Sequence, residues 1–167
     1  VNSGNIYFEN NTCKCPDAAN GDKDIIGGTT YTAVNNSSIK DEITNGNIYL
    51  CTTLVTNMSG VSLSGVFQNF FNNNSFNSNI SFWDVSNVTS NFDCVVPNPT
   101  FMGGKTPLTF STTNLDAIYA GWSTQIVNTG LTISFGTAQY TTLGGQAGKD
   151  ILTNTYGWII SDGGVLN

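Results

Sequence analysis

The chain has 167 residues, long enough for one domain with a real hydrophobic core, and its five lysines face eleven acids with no arginine and no histidine, giving a net charge of −6. That balance repels phosphate backbones and anionic lipid and makes bidentate guanidinium contacts impossible, which argues against nucleic acid as a partner. Charged residues are only 10% of the chain, so its polar surface comes from 23 Asn with Ser, Thr and Gly, a composition suited to many tight turns and little helix.

Residues 1–49 read as a β-rich N-terminal cap. IYF and TTYTAV are β-rich, and NGD and GG mark the connections between short strands. SSIKDEITNG then reads as a brief helix, with Ser37 or Ser38 as cap, Asp41 and Glu42 in its first turns and Gly46 as stop.

Residues 50–95 have a different rhythm. In NISFWDVSNVTSNF, Ile80, Trp83, Val85 and Val88 are spaced three, two and three apart, which is neither helical nor simply alternating. Apolar residues at the first, fourth, sixth and ninth positions fit the leucine-rich-repeat skeleton, in which a short strand and the corners beside it all point inward. Such a coil cannot enclose its own core and must stack on another. A shift of 33 residues supplies a degraded second copy, placing Val55-Thr56 under Val88-Thr89, Thr52 under Val85 and Leu50 under Trp83. Between the copies, Phe67, Phe70, Phe71 and Phe76 are expected to fill the convex side.

Residues 96–111 form a Pro/Gly-punctuated connector, and residues 112–167 an α/β C-terminal cap. TTNLDAIYAGWSTQI carries Leu115, Ile118, Tyr119 and Trp122 at helical spacing, with Thr112 or Thr113 as cap. LTISFG reads as a strand, GGQAGKDILTNTYG as a second helix ending at Gly157, and WIISDGG as a final strand and turn.

Four cysteines, Cys13, Cys15, Cys51 and Cys94, permit three pairings. Cys13 and Cys15 are too close to bridge each other comfortably, so one or both are expected to pair with Cys51 and Cys94. Zinc is the rival reading. Without histidine it needs all four thiolates, and a C-x-C pair with two scattered cysteines lacks the usual spacing.

Three stretches together resemble the BspA-like leucine-rich-repeat surface proteins of Bacteroidetes, particularly flavobacteria. IYFENNTCKCPDAANGDKDIIGGTTYTAV is similar to the family's region before its repeats, and FNSNISFWDVSNVTS to its Trp-Asp-x-Ser-Asn-Val-Thr repeat. The segment from LDAIYAGWSTQIV to YGWIISDGG resembles its closing segment. The resemblance implies an α/β fold, a short leucine-rich-repeat-like coil between two caps. It also implies export to the cell surface, commonly by the type IX route, and adhesion or protein–protein interaction without catalytic residues. Family members usually string many repeats together, whereas this chain has about two; its middle is expanded by GVSLSGVF, and Asn91-Phe92 replaces the usual Met-Phe.

Catalytic and metal chemistry find little purchase. No histidine is available to activate a serine or cysteine, and there is no Gly-x-Ser-x-Gly elbow, so the usual hydrolase triads are excluded. Asp84 reads as a turn or ladder hydrogen bonder. Asp22 and Asp24 faintly suggest calcium but lack the spacing and closing glutamate of an EF-hand, and Gly144–Asp150 lacks the spacing of a phosphate loop. No catalytic residue, metal ligand or cofactor is therefore expected. Trp83, Trp122 and Trp158 fall at inward positions, leaving Tyr7, Tyr31 and Tyr140 as the better sugar-stacking candidates. No apolar run approaches the roughly 18 residues of a membrane-spanning helix, and VNSGNIYF lacks the regions of a signal peptide, so export would make the chain a mature or excised piece. The expected partners are a protein or glycan at the cell surface, or further copies of the chain as a filament or layer subunit; a carbohydrate-binding module is the remaining alternative.

Overall fold

A computed structural model describes residues 4–59, 75–92 and 101–166. Phe67, Phe70, Phe71, Asp93 and Cys94 lie outside the described residues. The fold is mixed α/β. Strands β1 (Tyr7–Glu9) and β2 (Thr12–Lys14) form an antiparallel hairpin. Its two-residue turn, Asn10-Asn11, has φ of 49° and 63°, the left-handed backbone that Asn tolerates best among residues with a Cβ. Strands β3 (Lys23–Ile26) and β4 (Thr29–Asn35) are antiparallel, and β4 pairs in parallel with β5 (Leu50–Leu54). The crossover between them carries helix α1 (Ile39–Thr44), with Ser38 at its N-cap and Asp41 and Glu42 in the first turn, where the helix dipole favours acids.

Helix α2 (Thr112–Trp122) buries Leu115, Ile118, Tyr119 and Trp122 as the spacing requires. Its cap is Ser111, whose hydroxyl accepts from the Asn114 amide, rather than Thr112 or Thr113. The chain continues through β6 (Thr132–Ser134), helix α3 (Gln146–Asp150), a π-helical turn at Ile151–Thr155 and β7 (Ile159–Ser161), which pairs in parallel with β6. The second expected helix is thus α-helical only in its first half. Two glycines allow close approach, Gly121 of α2 to the turn at Ser81 and Gly148 of α3 to α2. A Cβ on Gly121 of α2 would lie 2.5 Å from the Ser81 carbonyl oxygen, and one on Gly148 of α3 would strike the Tyr119 carbonyl.

Residues 80–92 form no strand, yet they are bonded to a neighbour on each side. On one side the Thr89 amide donates to Thr56 O (2.9 Å), Thr52 Oγ1 to Asp84 O (2.9 Å), and Asn87 Nδ2 to Thr53 O (2.7 Å). On the other, the Phe92 amide donates to Thr132 O (3.0 Å), Asn128 Nδ2 to Val88 O (2.8 Å), and Gln125 bridges the Val85 amide and the Trp83 carbonyl at 2.8 Å each. The Ile159 amide donates in turn to Leu131 O. The lateral order is therefore β3, β4, β5, residues 84–92, residues 125–134 and β7.

Several described asparagines have a part in this bonding. At Asn35, Asn47, Asn57 and Asn79, and at Asp84, the side chain accepts from the amide two residues on, closing a turn without help from a ladder. Other asparagines reach across. Asn36 Oδ1 accepts from the Thr56 and Asn57 amides, and Asn91 Oδ1 from the Thr132 amide. Side-chain amides thus replace backbone rungs where the chain is turning, satisfying groups that burial would otherwise leave unpaired.

Ile80, Trp83, Val85 and Val88 are fully buried in the main core, with Phe92, Phe101 and Trp122. Phe92 lies 5.5 Å from both Trp122 and Trp158 and 5.1 Å from Phe101. Phe76, the one described member of the expected phenylalanine set, stacks on Phe110 at 6.1 Å. All three tryptophans point inward, and each donates its indole N–H to a carbonyl: Trp83 to Ile48, Trp122 to Ile80 and Trp158 to Asn128. The polar tip of each ring is thereby satisfied inside the core.

Candidate functional site

The disulfide joins Cys15 to Cys51 across 36 residues of chain and ties the end of the hairpin to β5. Cys13, two residues earlier, sits fully buried beside it as a free thiol, in a small cluster with Ile6 and Ala33. Burial, with the Asp84 charge nearby, pushes that thiol up to about 12, so it is protonated and unreactive at neutral pH. A four-thiolate zinc site is incompatible with the disulfide, and no group of three or more metal-ligating side chains occurs among the described residues.

The hairpin has two faces because cross-strand partners share a side. Phe8 pairs with Cys13 on one face, while Tyr7 pairs with Lys14 and Glu9 with Thr12 on the other. The second face forms one wall of a groove of about 460 Å³, through Glu9, Thr12 and Lys14. The opposite wall is built by Asn87, Gln125 and Ile126. Tyr7, 46% exposed, is the cross-strand partner of Lys14 and shares its hairpin face, next to the groove's lining rather than in it, and Ile126 is 86% exposed.

Behind the groove, Lys14 Nζ lies 3.0 Å from Asp84 Oδ2, whose side chain is completely buried. That oxygen has no well-aligned hydrogen bond, so its partner is the ammonium charge; Oδ1 accepts from the Ser86 amide (3.1 Å) and hydroxyl (2.6 Å). Burial alone would raise the Asp84 carboxyl. Attraction from the Ser86 hydroxyl, the Lys14 ammonium, the nearby Thr53 hydroxyl and the Ser86 amide outweighs it and holds the group below the ordinary carboxylate value. Asp84 is therefore ionised at neutral pH and its charge is matched by Lys14. Glu9, by contrast, makes no ion pair or side-chain hydrogen bond among the described residues and faces solvent.

The remaining expected candidates fall elsewhere. The Asp24 carboxylate accepts from the Gly4 and Ile6 amides (2.8 and 2.9 Å) and that of Asp22 from the Ala19 amide, so both organise the N-terminal chain. Tyr31 is half-buried in an edge-to-face cluster with Phe8, Tyr49 and Phe82. Tyr140 is not available for stacking as expected: it is 4% exposed, packed edge-on to Tyr119 and covered by Lys149, 4.7 Å above its ring. Lys149 also pairs with Asp162 (2.8 Å), which accepts from the buried Tyr119 hydroxyl; burial pushes that phenol far above its ordinary range. Lys105, read from the sequence only as part of a connector, is 2% exposed and donates to Phe76 O at 2.7 Å, and burial lowers its ammonium.

No described helix is long and apolar enough to cross a membrane. Comparisons with protein-family models, curated proteins and solved structures found no match.

Proposed function

We propose that the chain is a non-catalytic module of an exported cell-surface protein, serving adhesion or protein–protein interaction, and that its centre is a short leucine-rich-repeat-like coil of the BspA-like type. Pairs 33 residues apart support the coil: the Thr89 amide bonds to Thr56 O, and Ser90 Oγ to Asn57 Oδ1. The Cys15–Cys51 disulfide supports an oxidising compartment outside the cytosol. The observation that carries a binding role is the groove, whose walls are cross-braced while Glu9 on its rim is left unsatisfied by the chain itself. An ionised, ion-paired Asp84 does not serve as a proton donor at neutral pH, which favours binding over acid–base turnover.

The test is attachment. Beads carrying the chain should adhere saturably to a protein- or glycan-coated surface, and Thr124→Trp, which fills the groove from an exposed lining position, should abolish adhesion. Adhesion to no surface, adhesion indifferent to that substitution, or turnover of a bound glycan contradicts the reading.

A second reading, a subunit of a surface filament or layer, is favoured by one end of the lateral order. Strand β7 there carries Ile159, 63% exposed, where a neighbouring copy could extend the stack. Sedimentation velocity decides it: large species at modest concentration support assembly, and a monomer at every concentration removes it.

A further inference from the structure

We propose that the groove between the β1–β2 hairpin and residues 124–126 binds a neutral oligosaccharide, with the Tyr7 ring as its stacking surface. The inference rests on the reading of the groove as a binding site and names its ligand class.

Charge comes first. Lys14 is the cation lining the groove, and it is already neutralised by Asp84 at 3.0 Å. With Glu9 on the same wall and a chain charge of −6, an anionic ligand meets net repulsion. The hydrogen-bonding groups left open are of mixed kind: the Glu9 carboxylate on the hairpin, the Asn87 side-chain oxygen opposite, whose NH2 is already bonded to Thr53 O, and the remaining N–H groups of Lys14. Acceptors and donors spaced along two walls match the paired hydroxyls of a pyranose, each of which both donates and accepts.

Apolar surface comes second. Tyr7 stands beside Lys14 on the groove face with nearly half its surface exposed, and Ile126 is almost wholly exposed on the opposite wall. A sugar ring has one C–H face and a polar rim, so an aromatic beside one wall, an aliphatic on the other and polar groups between suit it. A peptide would want an exposed sheet edge or deep side-chain pockets, and these walls present side chains instead. The volume of about 460 Å³ lies within the range of small-molecule sites and admits a disaccharide.

Rigidity comes third. The hairpin wall is fixed by the Cys13 amide to Phe82 O (2.8 Å), the Cys15 amide to Thr53 Oγ1 (3.0 Å), the disulfide and the ion pair; the opposite wall is fixed through Gln125. The site is formed before the ligand arrives, which spares the ordering cost that weakens sugar binding.

The experiment is an array of neutral and anionic glycans probed with the intact chain, followed by calorimetric titration of the best neutral hit. At least one neutral oligosaccharide should bind saturably; Tyr7→Ala should weaken it about tenfold or more and Thr124→Trp should abolish it, with melting temperatures close to wild type. Glu9→Gln, which keeps the shape of the rim, should weaken binding by a smaller factor and keeps the proposal falsifiable if either larger change perturbs folding. Binding of anionic glycans alone, binding of no glycan, or binding indifferent to all three substitutions overturns the proposal. If no glycan binds yet Thr124→Trp still abolishes adhesion to a protein-coated surface, the adhesion reading stands and only the ligand class falls.

Discussion

Lys14 and Asp84 are 70 positions apart in the chain and meet at 3.0 Å, the one partly exposed and the other wholly buried. The pair locks the hairpin that forms one groove wall to the Trp-Asp-Val turn behind it. Lys14→Met strands the Asp84 charge without its counter-ion and should cost about 3 kcal/mol in chemical denaturation. The double variant with Asp84→Asn should recover part of that loss, and a cycle showing no coupling between the two sites contradicts the pairing.

The same carboxylate sets an acid limit. Asp84 is held below its ordinary value in the fold, so its contribution is complete above the unfolded value of about 3.9 and drains as pH falls through the still lower folded value. The midpoint denaturant concentration should therefore be lost more steeply at acid pH in the wild type than in Asp84→Asn. Parallel pH profiles for the two proteins would remove Asp84 from the acid transition.

The disulfide and the buried thiol beside it should respond oppositely to reagents. Replacing Cys51 by Ser opens a loop spanning 36 residues and should cost about 4 kcal/mol on the loop-entropy account. Cys13, pushed up to about 12 by burial, should resist alkylation at neutral pH until the chain unfolds. Rapid labelling of Cys13 in the native protein, read by peptide mass, would contradict its placement.

The three indole N–H bonds predict a graded result. Trp122→Phe keeps most of the ring volume but orphans the Ile80 carbonyl in a fully buried site, and should cost about 1–3 kcal/mol. Trp158→Phe, at 3% exposure, should behave similarly, and steady-state fluorescence of the wild type should resist acrylamide. Gly121→Ala forces a methyl against the Ser81 carbonyl and should cost a further comparable amount, about 1–3 kcal/mol.

Much of the local structure was legible because its signals are local. The β-rich runs at Tyr7 and Thr29, the helical spacing from Leu115 to Trp122 and the inward set Ile80, Trp83, Val85 and Val88 depend on neighbours within a few residues. What was not legible is what distant segments do together. Nothing in the sequence distinguishes Cys15 from Cys13 as the partner of Cys51, because both stand beside β5 and only the strand's orientation decides. Tyr140 was misplaced as exposed because its covering groups, Lys149 and Gln146, come from the following helix. The groove draws its walls from three separated segments, and no lining residue stands out in the sequence; only Tyr7, beside it, does, as an aromatic in a short strand.

The central claim is that residues 84–92, though not a strand, are a bonded member of one lateral stack running from β3 to β7. Native-state hydrogen exchange tests it directly, read at the amides of Thr89, Phe92 and Ile159, which donate to Thr56, Thr132 and Leu131. A shared stack predicts that these amides are protected and open together with those of β4 and β5. Exchange at unstructured-chain rates in residues 84–92, while β4 and β5 stay protected, would contradict it.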